Sequence, residues 1–411
     1  MLEHVCLRGR VPETDLRHAY RAPQRRIPEG KTGLSTLNRR ALAGGLAVVA
    51  AAGIPVLAAG YGSDPDAWLV ARAAGKLWTT GTYVVSRFPG YPLHEIASAP
   101  LVGLGGCVGS NAGTLVAALV LTALWFRIAG KAGRNPLTLF FSLICAPLVL
   151  TNVATTIDYL WSLAFLIAAL DAALEKRGIA SGILTGIASG FRPSNLSLAI
   201  PLCILIALSA GGRASLRYAL AVAAASAASF LPVLVTYGGP FHWFALTTAE
   251  MSDVHPAPGI RVLDFGYRIL YAAGPLAFIA IAVVLARGRA RLREAVGEKD
   301  PIVISCFAAL IVAAVQFFAL PLERAYLLPA LPFALLLADR VATPRASLAV
   351  FLCIVSLNVV NPDIIRHQKS GYALAPNIHD GRLQESWRER TAMADLQDRL
   401  RREGLKPLDA P

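Results

Sequence analysis

Charge is what this chain has least of. Only 16% of its 411 residues are Asp, Glu, Lys or Arg, and mean hydropathy is +0.54. A soluble domain of that length carries roughly 25% charged residues, so a soluble enzyme or adaptor is excluded. The six cysteines (Cys6, Cys107, Cys145, Cys203, Cys306, Cys353) stand singly, mostly inside apolar runs. No CxxC or Cys/His cluster exists, which excludes a zinc site and a disulfide framework. The first forty residues hold nine Lys/Arg but lack a cleavage pattern near an apolar region, so they read as a cytoplasmic tail rather than a signal peptide. An internal repeat of the transporter kind is absent as well. Net charge is +13, yet the basic residues sit in short clusters between apolar runs. That is the pattern of cytoplasmic loops and not of a nucleic-acid surface.

What is present is a succession of apolar runs, each long enough or nearly long enough to cross a bilayer. The fold class expected is all-α, a polytopic transmembrane helical bundle with about eleven spanning segments. Helix 1 is Ala41 to Gly60, entered through Arg39-Arg40, so the residues after it lie outside by the positive-inside rule. Pro92 to Cys107 is moderately apolar. If it crossed, Arg127, Lys131 and Arg134 would fall outside, so it is expected to lie along the surface, with Val108 to Phe126 as helix 2. Helices follow at Leu137–Val153 and Ile157–Leu174. Next comes a short pair, Ile179–Gly190 and Leu196–Leu208, bent at FRPSN. Neither member spans ~30 Å comfortably at 1.5 Å per residue. Tyr218–Tyr237, Phe265–Ala286, Ile302–Leu320, Ala325–Ala338 and Ala346–Val360 complete the set. The organisation expected is a basic tail (1–40), a bundle (41–361) with a first outer loop (61–107), and a short extracytoplasmic tail (362–411). Met393, Leu396 and Leu400 predict one amphipathic helix in that tail.

The first outer loop, YGSDPDAWLVARAAGKLWTTGTYVVSRFPGYPLHEI, holds most of the chemistry. Asp64 and Asp66 stand just past helix 1. Asp66 to Trp78 reads as a short surface helix, with Val70, Ala74, Leu77 and Trp78 on one side and Arg72 and Lys76 on another. Thr80-Gly81 ends it. A Pro/Gly-punctuated turn then brings Arg87, Tyr91, His94 and Glu95.

This arrangement resembles the GT-C glycosyltransferases, membrane enzymes that include the protein O-mannosyltransferases and the lipid A arabinosyltransferases. The matching features are Asp64-Pro65-Asp66 after helix 1, the surface helix, and FPGYPLHE leading into a second one. Asp158 at the start of helix 4, Arg192 between the short pair, and PLERAYLLPALP add to it. The resemblance covers roughly residues 40 to 340. It departs from relatives that carry a soluble outer domain, since the C-terminal portion is too short for one, and it has no WWDYG-like motif of an oligosaccharyltransferase. What it implies is inverting transfer of a hexosyl or pentosyl unit from a polyprenyl-phosphate donor to a hydroxyl of a glycan, lipid or protein. The reaction would occur at the outer face of a bacterial plasma membrane, in the building of the cell envelope. Such chemistry needs a carboxylate base and positive charge for the departing phosphate.

Each candidate has a bland counterpart. Asp64 and Asp66 are the expected catalytic base and the expected ligands of Mg²⁺ or Mn²⁺, but Ser-Asp-Pro-Asp is also good turn sequence. Asp158 is a substrate contact or a helix cap. Arg192, between two apolar half-helices, is costly unless paired; a donor phosphate or an internal ion pair would satisfy it. Arg87, Tyr91, His94 and Glu95 are expected to contact sugar or phosphate, with an exposed polar face as the plain account of His94 and Glu95. Glu323 and Arg324 either meet the substrate or pair with each other at the surface. Tyr237, Trp243 and Phe244 read as interfacial anchors, and His242 and His255 as ordinary loop residues. From another function class, a transporter or lipid-linked-sugar flippase with a polar outer cavity is the alternative, and an inactive scaffold a third. A transporter predicts charged groups near mid-membrane in several helices.

Overall fold

The computed structural model of the chain describes residues 36–252, 258–368 and 371–409. The first thirty-five residues of the basic tail, together with Asp253 and His255, lie outside the described residues. The chain divides into two units, residues 1–40 and 41–411. The first enters α1 (Thr36–Gly53) at its end, and the second holds the bundle.

In order, the bundle comprises α2 (Pro65–Thr80), α3 (Pro92–Ala132), α4 (Pro136–Ile144), α5 (Pro147–Leu150), α6 (Tyr159–Leu174), α7 (Gly178–Phe191), α8 (Ala199–Ala210) and α9 (Gly212–Thr236). Then come α10 (Pro240–Ser252), α11 (Pro258–Ala272), α12 (Pro275–Arg287), α13 (Arg289–Gly297), α14 (Pro301–Ala319), α15 (Leu331–Val341) and α16 (Pro344–Val359). An antiparallel hairpin, β1 (Val360–Gln368) and β2 (Gly371–Asp380), leads to α17 (Arg382–Arg402). Proline is the first residue of nine of these helices, where its missing N–H costs nothing and its fixed φ is already helical. The prolines of this apolar chain thus start helices more often than they break them.

The chain is a polytopic helical membrane protein. Among the described residues, five helices are long and apolar enough to cross a bilayer, and α11 with α12 makes a sixth if that pair, bent by 87°, is one span. Three further apolar helices, α6, α7 and α16, are shorter than that, so fewer full-length spans are found than the eleven expected. The expected surface helix after Pro92 joins the next span as α3, but the two parts fold back on each other at Gly106. Its φ of 55° and ψ of −139° suit glycine alone. The bend is sharp: a Cβ on Gly109 would sit 2.3 Å from the carbonyl oxygen of Leu101. The helix anticipated over Leu137–Val153 is instead α4 and α5, because Pro147 cannot continue α4. The loop expected from Gly238 to Asp264 contains α10 and the start of α11. The tail carries its predicted helix, α17, preceded by a hairpin that hydropathy gave no reason to expect.

The core gathers side chains of α3, α4, α6, α8 and α15 around Trp125, Phe140 and Leu163, all out of solvent. Between α7 and α9 the backbones approach closely. Cβ atoms added at Gly182, Gly186 and Gly190 would meet Ala221, Ala225 and Ser229 at 2.5–2.8 Å. Small residues every fourth position are how helices pack in lipid, where van der Waals contact replaces the hydrophobic drive. At one end of the bundle Lys131 and Arg127 pair with Asp171 and Glu175. There Asp339 accepts from the backbone of Arg134 and Asn135. The other end holds α2 and the start of α6.

Candidate active site

The loop between α1 and α3 is built to be rigid. Asp64 caps α2, its Oδ1 accepting from the Asp66 N–H at 2.8 Å, with Pro65 next. Gly81 in the left-handed region (φ 68°) ends the helix as Thr80-Gly81 predicts. The indole of Trp68 donates to the Gly62 carbonyl and tethers the buried face of α2. Beyond α2, Glu95 accepts from the Tyr83 hydroxyl, from both N–H and O–H of Ser86, and from the Tyr91 N–H. From α9 and α10, Tyr237 accepts from the Val85 N–H and Trp243 donates to the Pro89 carbonyl. These contacts hold Arg87 in place.

Four charges then alternate through space. Arg87 Nε lies 2.8 Å from Asp66 Oδ2, and its Nη2 lies 2.8 Å from Asp158 Oδ1. The other oxygen of Asp158 is 2.7 Å from Arg192 Nη1. Asp158 is fully excluded from solvent and Arg192 is 4% exposed. Removing one member of such a buried pair strands the other, at a cost of about 3–5 kcal/mol. The Arg192 guanidinium also lies against the rings of Tyr159 and Tyr326, at 4.3 and 4.7 Å, and that of Arg87 stands 3.9 Å from the Tyr91 ring. Such stacking stabilises a desolvated cation while leaving its N–H edges open. Arg87 Nη1 and Arg192 Nε are buried and have no hydrogen-bond partner.

Two cavities share Glu323 beside this cluster. The larger, about 550 Å³, is lined by Asp66, Arg87, Tyr91, Arg192, Glu323 and Tyr326 at its polar end, and by Leu69, Phe317 and Leu320 along its apolar wall. The smaller, about 190 Å³, has Asp64, Glu323 and Arg324 on its wall. Oxygens of Asp64, Asp66 and Glu323 all lie within 4.8 Å of one another. Burial, aided by the charges of Glu323 and Asp66, pushes the Asp64 carboxyl up from 3.8 to about 7. A carboxyl in that range takes up and releases a proton near neutral pH. The three carboxylates also fit a hard divalent cation such as Mg²⁺ or Mn²⁺. Arg87 already neutralises Asp66, while Asp64 and Glu323 have no ion-pair partner among the described residues.

Asp64, Asp66, Arg87, Tyr91, Arg192, Glu323 and Arg324 therefore line one cavity or the other, as a shared site requires. Three expectations need correcting. Asp158 lines neither cavity; with both oxygens taken by arginines, it positions Arg87 and Arg192 rather than touching a ligand. Glu95 is buried and saturated by its own loop. His94 is equally buried, packed edge-on against Trp161 and Phe191, so neither residue forms an exposed face. Glu323 and Arg324 do not pair. Glu323 accepts from the Tyr159 hydroxyl, and Arg324 lies over Tyr267 and Tyr271. Tyr237 and Trp243 clasp the loop. Tyr159 and Tyr326 carry no signal of their own in the sequence, although Tyr159 follows Asp158 and Tyr326 lies within PLERAYLLPALP.

No family model and no curated protein matches the sequence. Among solved structures, the crystal structure of ArnT from Cupriavidus metallidurans bound to undecaprenyl phosphate superposes with a TM-score of 0.56 at 14% identity. The match covers 76% of this chain and 62% of that one, so this chain spans less than two thirds of ArnT's length. The chain is a polytopic helical membrane protein whose fold is similar to that of ArnT.

Proposed function

We propose that the chain is a membrane glycosyltransferase that moves a sugar from a polyprenyl-phosphate donor to an acceptor hydroxyl, with inversion, at the extracytoplasmic face of a bacterial plasma membrane. One observation carries the reading. Two arginines with unpartnered N–H groups, Arg87 and Arg192, stand at the head of a long apolar cavity, beside a carboxylate that protonates near neutrality. The fold shared with a protein that binds undecaprenyl phosphate adds support. So does the gathering of charge at the two ends of the bundle rather than along its middle, which the transporter alternative would need.

In this mechanism the donor lipid lies along Leu69, Phe317 and Leu320, and its phosphate meets the guanidiniums of Arg87 and Arg192, which line the same cavity. Asp64 is the general base. Its carboxylate takes the proton of the acceptor hydroxyl while that oxygen attacks the anomeric carbon from the face opposite the phosphate. The bond from carbon to phosphate oxygen breaks, and the electron pair leaves with the polyprenyl phosphate. Arg87 and Arg192 stabilise the charge that develops there, and their geometry needs no reorganisation because Asp158 already holds both. Asp66 orients Arg87. A divalent cation held by Asp64, Asp66 and Glu323 would supply further positive charge next to the phosphate.

The test is extraction of lipid-linked sugars from a strain lacking this chain. A polyprenyl-phosphate sugar should accumulate and be cleared by the wild-type gene but not by Asp64→Asn. An unchanged lipid profile removes the proposal.

A further inference from the structure

The smaller cavity has Asp64 on its wall and shares Glu323 with the apolar one, and the transferase reading leaves it for the acceptor. Its far wall comes from the C-terminal helix: Glu385, Ser386 and Glu389 of α17 face the cavity, as do Asn152 and Thr155 from the segment before α6. That helix is fixed there. The buried Arg390 side chain donates to the carbonyls of Ala59, Gly60 and Ala154, tying α17 to both ends of the segments that frame the site.

Size and charge limit the occupant. About 190 Å³ is below the ~300 Å³ at which pockets begin to take drug-sized ligands, so one ring fits and a chain of them does not. Four carboxylates (Asp64, Glu323, Glu385 and Glu389) face two guanidiniums, Arg324 and Arg382. Arg382 is already bonded to Glu385 at 2.9 Å. Among the described residues Asp64, Glu323 and Glu389 have no ion-pair partner, so a phosphorylated group entering here would meet three acidic side chains, Asp64 partly protonated near pH 7, with Arg324 to offset them. Hydroxyls would find carboxylate, hydroxyl and amide partners on every side, and an ammonium would find attraction.

We infer that this cavity binds the acceptor head, and that α17 selects a single polyhydroxyl ring that is uncharged or amine-bearing, to the exclusion of phosphorylated ones. The inference rests on the transferase reading, and the experiment separates the two. The full chain in lipid nanodiscs is titrated with methyl glucoside, glucosamine and glucose 6-phosphate, followed by saturation-transfer NMR, and separately with undecaprenyl phosphate. Expected is binding of the first two sugars and none of the third. Ser386→Trp, which fills the cavity, abolishes sugar binding but keeps that of undecaprenyl phosphate, and so reports its own fold. Replacing Glu385 and Glu389 together by Gln weakens glucosamine about tenfold, as the loss of one charge-assisted contact does, and leaves methyl glucoside nearly unchanged. Glucose 6-phosphate binding as well as glucosamine, or sugar signals indifferent to both the Ser386 and the double Gln variants, overturns the inference alone. Failure of undecaprenyl phosphate to bind the wild type strikes the transferase reading instead.

Discussion

Asp158 and Arg192 lie thirty-four residues apart in sequence and 2.7 Å apart in space, Asp158 fully out of solvent and Arg192 nearly so. Their pairing converts a liability of the sequence, an arginine between two apolar half-helices, into a fixed positive wall. Asp158 also holds Arg87, so a single carboxylate sets the position of both cations.

Replacing Asp158 by Ala should therefore damage the fold more than replacing Asp64 or Asp66. Two guanidiniums lose their shared partner, and about 3–5 kcal/mol of stability is lost. Thermal unfolding in detergent checks this. Asp158→Ala should lower Tm steeply, and adding Arg192→Met to it should recover part of the loss, because the stranded charge is then gone. No recovery would mean that the pair does not act as a unit.

Asp64→Asn and Asp66→Asn should both leave Tm close to that of the wild type. Asp64→Asn removes the base and should abolish transfer. Asp66→Asn frees Arg87 from one partner, so transfer should fall while binding of undecaprenyl phosphate persists. Glycan analysis and lipid binding on the same preparations separate the two roles. Wild-type activity in both variants would leave no catalytic part for this loop.

The elevated Asp64 carboxyl has consequences of opposite sign for rate and stability. Its ordinary value is 3.8 and its value in the fold is about 7, so the folded state holds the proton more tightly than the unfolded chain. Stability from this group is full below the lower value and declines as pH rises towards 7. Transfer needs the carboxylate, so its rate should climb over the upper part of the same window. A wild-type pH–rate profile with a limb near 7 checks the assignment, and Tm measured across pH 4 to 8 in the wild type and in Asp64→Asn checks the stability sign.

If Asp64, Asp66 and Glu323 hold a divalent cation, Mn²⁺ added to the purified chain should bind one to one, and electron paramagnetic resonance should report it. Glu323→Gln should weaken that binding without removing Arg87 or Arg192 from the cavity. With the cation bound, the limb near pH 7 should move to lower pH, because positive charge favours the ionised carboxyl. Retention of full activity after exhaustive chelation would dismiss the ion from the reaction.

Gly186 offers a test remote from the chemistry. A side chain there collides with Ala225 and Ser226 of α9, at 2.5 and 2.8 Å from the Cβ alone. Gly186→Leu should cost about 1–3 kcal/mol through overpacking and lower Tm. An unchanged Tm would show that α7 and α9 do not rely on that close approach.

Much of this protein could be read from one dimension. Hydropathy settled the class, because long apolar runs with few charges have nowhere to go but lipid or a core that excludes water. Local chemistry settled α2 as well: Asp64, Pro65 and Gly81 are a cap, a first-turn residue and a left-handed stop, and each acts on its immediate neighbours. The return of α3 upon itself, the break before Pro147 and the hairpin before α17 were not legible, since hydropathy averages over such bends.

The site belongs to the second kind of knowledge. Asp64 and Asp66 stand two residues apart, yet one faces a small polar cavity and the other a large apolar one. Nothing in their shared sequence separates them. Only packing decided that Glu323 would join them, that His94 and Glu95 would be buried as supports, and that Asp158 would stand behind the arginines instead of before them. Burial and electrostatic pairing depend on which segments meet. A sequence specifies that meeting only through the summed contacts of the whole fold, whereas capping and hydropathy are properties of neighbours.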